Sequence, residues 1–238
     1  MLFRSSFNPG RINPEHTAWE EARKPLAAAW QLPSGDRFFT VNVHFSSKRF
    51  SSSPQGNARP PINGGYEKRT SQANVTAVCL PPSLSQPSLI CPLRAHEQRF
   101  VSSLLDLSRN ASVIVAGDMN EFTAARSVLR PLTSLLTDAN DVGGVPLAER
   151  YTYAYDQHAQ EIDQVFVSEA LARRGGEVEH VHVNTWARSV GERASDHDPT
   201  VVRLWVCDAE TGVFFTGIVS RERRALIYGV HLQMLRRP

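Results

Sequence analysis

The apolar strand pattern Ser112–Gly117, SVIVAG, runs straight into Asp118-Met119-Asn120 with no spacer. Such a chain sets a carboxylate and an amide at the end of a strand, where they are held rigidly yet reach a cleft. The arrangement recurs three times. VNVHF closes on His44, Asp163 sits inside EIDQVFV, and Ser195-Asp196-His197-Asp198-Pro199 leads directly into TVVRLWV. Further strand patterns lie at Phe38–Phe45, Tyr151–Tyr155, Ile162–Ser168, Val178–Val183 and Thr200–Val206, with helical stretches between some of them. Their succession predicts an α/β or α+β class. Phe38–Phe45 sets Thr40, Asn42 and His44 against Phe39, Val41 and Val43, the alternation of a half-buried strand.

Composition narrows the partners. Lys and Arg number 26 against 24 Asp and Glu, a net charge of +2, so neither a polybasic nucleic-acid arm nor an acidic tail is present. No apolar run is long enough to span a bilayer, and the opening MLFRSSFNPGR has no apolar core of a signal peptide, so neither membrane association nor an export address is expected. Cys79, Cys91 and Cys207 form neither a disulfide framework nor a zinc pattern. Metal chemistry therefore falls to carboxylates, amides and histidines.

One segment breaks the pattern. Val78–Arg94, VCLPPSLSQPSLICPLR, holds four prolines and separates two amphipathic helical stretches, EKRTSQANVTA and AHEQRFVSSLLDLSR. Deleting it brings Ala73, Ala77, Val101 and Leu105 onto one continuous helical stripe. Leu, Pro and Ser codons are pyrimidine-rich, and the segment is read as an insertion, a retained intron translated in frame. A Pro-rich surface loop is the other reading. Residues 207–238 mix apolar and basic positions without continuing the strand pattern and stay unassigned.

Each polar cluster alone has an ordinary explanation: a structural histidine, a turn, a surface loop. Asp163 has the sharpest claim, because a carboxylate between apolar neighbours must be paired or meet a metal. Together, three carboxylates, an amide and two histidines suit a hard divalent cation, Mg2+ preferring oxygen ligands, with an acid/base pair beside it.

In order and approximate spacing, VNVHFSSK, RTSQA, VIVAGDMNEF, YTYAYDQHAQEIDQVFVS and SDHDP resemble the endonuclease/exonuclease/phosphatase superfamily, which includes deoxyribonuclease I. NPGRINPEHTAWEEARKPLAA is most similar to its secreted nuclease branch. The resemblance covers residues 8–206 apart from the insert. It implies a deoxyribonuclease I-like sandwich of two β-sheets flanked by helices, acting as a metal-dependent hydrolase of phosphodiester bonds in DNA or RNA. It also implies roles. His197 would be the general base, Asp163 its orienting partner, and Asp118 and Asn120 would position nucleophile and phosphate. Asp196 would join Asp118 at the metal, Mg2+ with Mn2+ or Ca2+ as substitutes. His44, Arg23 and Arg69 would meet the phosphate, and Arg69 with Gln72 matches the family's R-x-x-Q. Gln164 stands where the family usually has the His of IDH.

Measured against the resemblance, residues 1–206 form a partial domain whose N-terminal part is missing, with the strand bearing an Asn and the helix bearing the metal-binding Glu. A second reading follows, a non-catalytic remnant binding phosphate or nucleic acid through Arg23, Lys24, Lys48, Lys68 and Arg69. A third is a phosphatase of the same fold. A monomer is expected. The sequons at Asn74 and Asn110 agree with an extracellular full-length parent.

Overall fold

The computed structural model describes residues 10–12, 14–32, 35–53, 56–77 and 110–206, with the backbone of 211–218 and 227–234. The Pro-rich segment Val78–Arg94, the second half of the proposed helical stripe and all three cysteines lie outside the described residues.

A first sheet is built from β1 (Gly10–Arg11), β2 (Leu26–Gln31), β3 (Arg37–His44), β4 (Ser112–Asp118), β5 (Thr137–Asp138) and β8 (Asp163–Val167). Its order is β1-β2-β3-β4-β8-β5. Here β4 runs parallel to β3 and antiparallel to β8. Because both faces of its centre are covered, every residue of β4 is buried. The same covering buries Phe38 and Thr40 of β3 as well as Val41 and Val43. The expected half-buried alternation holds over Val41–His44, where Asn42 and His44 are half-buried, whereas Thr40 is buried and Phe39 half-buried.

On one face Val41, Val43, Val113, Val115 and Phe166 pack against α1 (Tyr66–Ala77), through Ala73 and Ala77, and against α2 (Arg126–Thr133), through Val128, Leu129 and Leu132. Small residues on α1 let the helix come close to the sheet. On the other face Phe38, Ile114, Ala116 and Val167 meet Val202, Leu204 and Val206 at the second sheet. That sheet orders β12 (Ile227–Met234), β11 (Thr211–Ile218), β10 (Thr200–Trp205) and β9 (Gly176–His180), all antiparallel. The segment after Cys207, unassigned by its pattern, thus supplies two strands that extend the sheet, β11 pairing with β10 and β12 with β11. Short elements fill the rim: α3 (Ala139–Val142), the hairpin β6 (Tyr153–Tyr155) and β7 (His158–Gln160), and α4 (Glu169–Arg174). The fold is a two-sheet sandwich with helices, as the sequence predicts.

Candidate active site

Register brings the first three residues together. In the parallel β3–β4 pair His44 stands opposite Asp118, and in the antiparallel β4–β8 pair Asp118 stands opposite Asp163. Three polar side chains from three strands therefore form a row at one level of the sheet. His197 reaches the row from the second sheet's side, on the loop that feeds β10.

His197 Nδ1 lies 2.6 Å from Asp163 Oδ2. The carboxylate can only accept, so Nδ1 carries the hydrogen and Nε2 becomes the atom that exchanges a proton. The Thr152 hydroxyl donates to the same Oδ2 at 2.6 Å, fixing the carboxylate in turn. Burial disfavours the His197 imidazolium, but the hydrogen bond to Asp163 and the charges of Asp163, Asp118 and Asp196 outweigh it and push the pKa up to about 9.

Asp118 accepts at Oδ1 from the Asn120 backbone N–H (2.8 Å) and at Oδ2 from the Asn120 side-chain amide (2.9 Å). Asn120 takes a left-handed conformation, φ 49°, which Asn tolerates better than most side chains. Its other amide hydrogen goes to the Phe45 carbonyl at 3.0 Å. Both N–H groups are thereby engaged inside the protein, which makes Asn120 a holder of Asp118 and leaves no free donor for a phosphate. Burial first, and then the Asp163 charge, raise the Asp118 pKa to about 8.

His44 Nε2 is 3.5 Å from Asp118 Oδ2, and Arg23 Nη1 bonds to His44 Nδ1. A guanidinium donates only, so Nδ1 is the acceptor of a neutral ring. Burial first, and then the Arg23 charge, hold the His44 pKa down to about 4. Arg23 itself is exposed at the mouth of the site.

The expected role of Arg69 is corrected. Its side chain is fully buried. Its guanidinium donates to Glu121 Oε2 (2.9 and 3.2 Å), to Asn63 Oδ1 (2.5 Å) and to the Gly64 carbonyl (2.7 Å). Lys48 closes the cluster at 2.6 Å from Glu121 Oε1. Gln72 accepts from the Ser46 backbone and donates to the Ala18 carbonyl. The R-x-x-Q pair therefore clamps the loop after β3 rather than facing a substrate phosphate. Gln164, at the position of the usual His, is likewise structural, donating to the Glu121 and Glu161 carbonyls.

Sequence reasoning missed Thr152 and Asn184. Asn184 donates to the His197 carbonyl at 2.6 Å and accepts from the Ala194 and Ser195 N–H groups, so it sets the shape of the 195–199 loop. Asp198 is turned inward, accepting from the Asn184 and Thr185 backbones and from His182 Nδ1. No motif flags Asn184; its one signal is the alternation of Val178–Val183 ending on a polar residue beside a buried loop.

Among the described residues, Asp118, Asp163 and His197 form the group that could hold a metal ion, their ligand atoms lying within 4.8 Å of one another. Asp163 Oδ1 is buried without a hydrogen-bond partner beside a second carboxylate, the circumstance a cation relieves. The residues therefore fit a divalent ion bound mainly through carboxylate oxygen. Of the two expected metal ligands, Asp118 is in this group, whereas Asp196 acts through its charge on His197.

Residues 16–197 match the model of the Endonuclease/Exonuclease/phosphatase family. Among solved structures, truncated Caenorhabditis elegans TDP2 is similar at a TM-score of 0.56 and 14% identity, covering 84% of this chain and 66% of that one. A D. rerio TDP2 humanized by 14 mutations aligns at a TM-score of 0.52 and 18% identity, over 83% of this chain and 65% of the other. D. rerio TDP2 complexed with a single-strand DNA product aligns at 0.50 and 17%, over 83% and 66%. The chain thus spans just under two thirds of these proteins' lengths, and at such identities the likeness concerns the fold. No curated protein matches the sequence significantly.

Proposed function

This chain belongs to the endonuclease/exonuclease/phosphatase family, and from that premise we propose that it hydrolyses phosphodiester bonds of nucleic acid with Mg2+ at the Asp118–Asp163–His197 cluster. The observation that carries the proposal is the 2.6 Å bond from His197 Nδ1 to Asp163 Oδ2 beside a second buried carboxylate. A histidine locked in one tautomer by a carboxylate is built to move a proton at its other nitrogen.

His197 Nε2 takes the proton from the attacking water, while Asp163, fixed by Thr152, holds the ring and stabilises its charged form. Without a cation the surrounding carboxylates keep His197 protonated, its pKa being about 9. Neutralising those carboxylates lowers that pKa and lets the imidazole accept a proton near neutrality. Asp118, oriented by Asn120, and Asp163 Oδ1 would hold the ion, with Asp196 adding negative charge nearby. A bound divalent ion supplies charge stabilisation for the phosphoryl oxygens as the bond breaks. His44 in its neutral form donates from Nε2, and the exposed Arg23 meets the phosphate from outside.

The test is cleavage of a single-stranded oligonucleotide and of a small phosphodiester by the purified chain, with Mg2+ or Mn2+ against EDTA. Metal-dependent cleavage of both, reduced by orders of magnitude in His197→Ala, is expected. Absence of cleavage, or cleavage indifferent to EDTA or to the substitution, overturns the proposal.

A further inference from the structure

At the same end of the sandwich as the site, a cavity of about 710 Å³ opens between the turn after α3 and the segment after β9. Val145, Pro146 and Val181 give it apolar walls, Glu149 and Glu179 line it with carboxylates, and Trp186 stands at its edge. The site described above uses none of these residues.

Trp186 is 72% exposed, yet it is fixed in place. Its indole Nε1 donates to the Tyr151 hydroxyl at 2.8 Å. Its ring packs on His182, centroids 5.4 Å apart, and His182 stacks flat on Tyr151 at 3.9 Å and 3°. His182 Nδ1 is anchored 3.1 Å from Asp198 Oδ2, and Asp198 is the neighbour in sequence of His197. An indole with its N–H satisfied, its orientation locked and its face in water is an unused stacking platform coupled to the reactive loop.

The lining selects the ligand. Glu149, whose Oε2 lies 3.5 Å from His182 Nε2, and Glu179 present carboxylate acceptors to N–H groups, and a rigid indole face favours a flat ring. We infer that Trp186 and Glu149 seat an unpaired nucleobase of the substrate strand, whose phosphate lies towards His197 and Arg23; the inference rests on the nucleic-acid reading above and adds a base-binding subsite to it. In a duplex both faces of a base are taken by its neighbours, so the subsite requires a single-stranded or flipped-out nucleotide.

The experiment measures equilibrium binding in EDTA of a short single-stranded oligodeoxynucleotide and of an abasic deoxyribose-phosphate strand of the same length. The wild-type chain should bind the base-bearing strand about tenfold or more tighter, in line with one base stacked on an aromatic ring. Trp186→Ala should abolish that preference and Trp186→Phe should retain most of it, which separates lost stacking from lost folding. Equal binding of the two strands by the wild type, or an undiminished preference in Trp186→Ala, overturns the inference. Base-dependent binding by a chain that cleaves nothing keeps the subsite and removes the nuclease; cleavage by a chain without base preference does the reverse.

Discussion

His197 lies on the loop before β10 of the second sheet and Asp163 opens β8 of the first, and the hydrogen bond between them, 2.6 Å long, ties that loop to the first sheet. Ile114 and Val167 of the first sheet pack against Val202 and Leu204 of the second, so the packing that joins the sheets also sets how the loop before β10 approaches β8.

Replacing Asp163 by Asn should lower kcat by about a thousandfold or more, because an amide can present its N–H to Nδ1 and trap the wrong tautomer. Far-ultraviolet circular dichroism should stay unchanged, since the side chain keeps its size. Steady-state kinetics on a small phosphodiester checks this; a loss below tenfold would remove Asp163 from the proton-transfer pair.

Arg69→Met should destabilise the chain by about 3–5 kcal/mol, since it breaks a fully buried ion pair and leaves Glu121 with Lys48 as its one remaining cation among the described residues. Arg69→Met combined with Glu121→Leu should recover much of that loss. Urea denaturation of the three proteins decides it, and a phosphate-binding role would instead show as altered KM with unaltered stability.

Buried His180 and half-buried Glu161 give stability opposite pH dependences. His180 accepts at Nδ1 from Thr200 and donates from Nε2 to Asn140, and burial together with the His182 charge lowers its pKa from 6.5 to about 4. Its stabilisation is present above pH 6.5 and is lost as pH falls through about 4. His180→Gln should flatten the acid limb of the denaturation midpoint in that window.

Glu161 behaves oppositely. Burial and the charge of Asp138 raise its pKa from 4.5 to about 7, so its contribution is present below 4.5 and is lost as pH rises through about 7. In Glu161→Gln the midpoint should cease to decline over that interval, as thermal denaturation across a pH series would reveal.

Gly64→Ala should displace the loop after β3. A Cβ there drives into the Arg49 carbonyl and comes within 2.9 Å of the Ser51 nitrogen, both of them backbone atoms. Faster limited proteolysis between Ser46 and Gly65, with a loss of about 1–3 kcal/mol, is the expected result.

The sequence made the placement of His44, Asp118 and Asp163 legible because strand alternation and a polar terminus are local signals. Their assembly into one row was not, since cross-strand register is set by long-range hydrogen bonds that no local pattern encodes. Arg69 misled for a related reason: a guanidinium on a helix looks the same in sequence whether it points at solvent or at a buried Glu121, 52 residues further on. Glu121 itself, one residue past Asn120, gave no sign of being fully buried. The strands after Cys207 escaped notice because VFFTGI and IYGVHLQM break alternation with glycine, so the pairing of β11 with β10 and of β12 with β11 came from the sheet and not from their own periodicity.

The row His44–Asp118–Asp163 is drawn by backbone pairing, so it inherits the arithmetic of a sheet, in which a slip of one residue turns every side chain on a strand to the other face. A misthreaded β4 would send Asp118 in among Val41 and Leu129 and bring Met119 up in its stead. The row accordingly depends on one alignment of the strands: in that register the three side chains share one level of the sheet, and in the neighbouring one a carboxylate is buried among apolar groups. Proofreading of strand alignment is thus delegated to the polar residues of the row themselves.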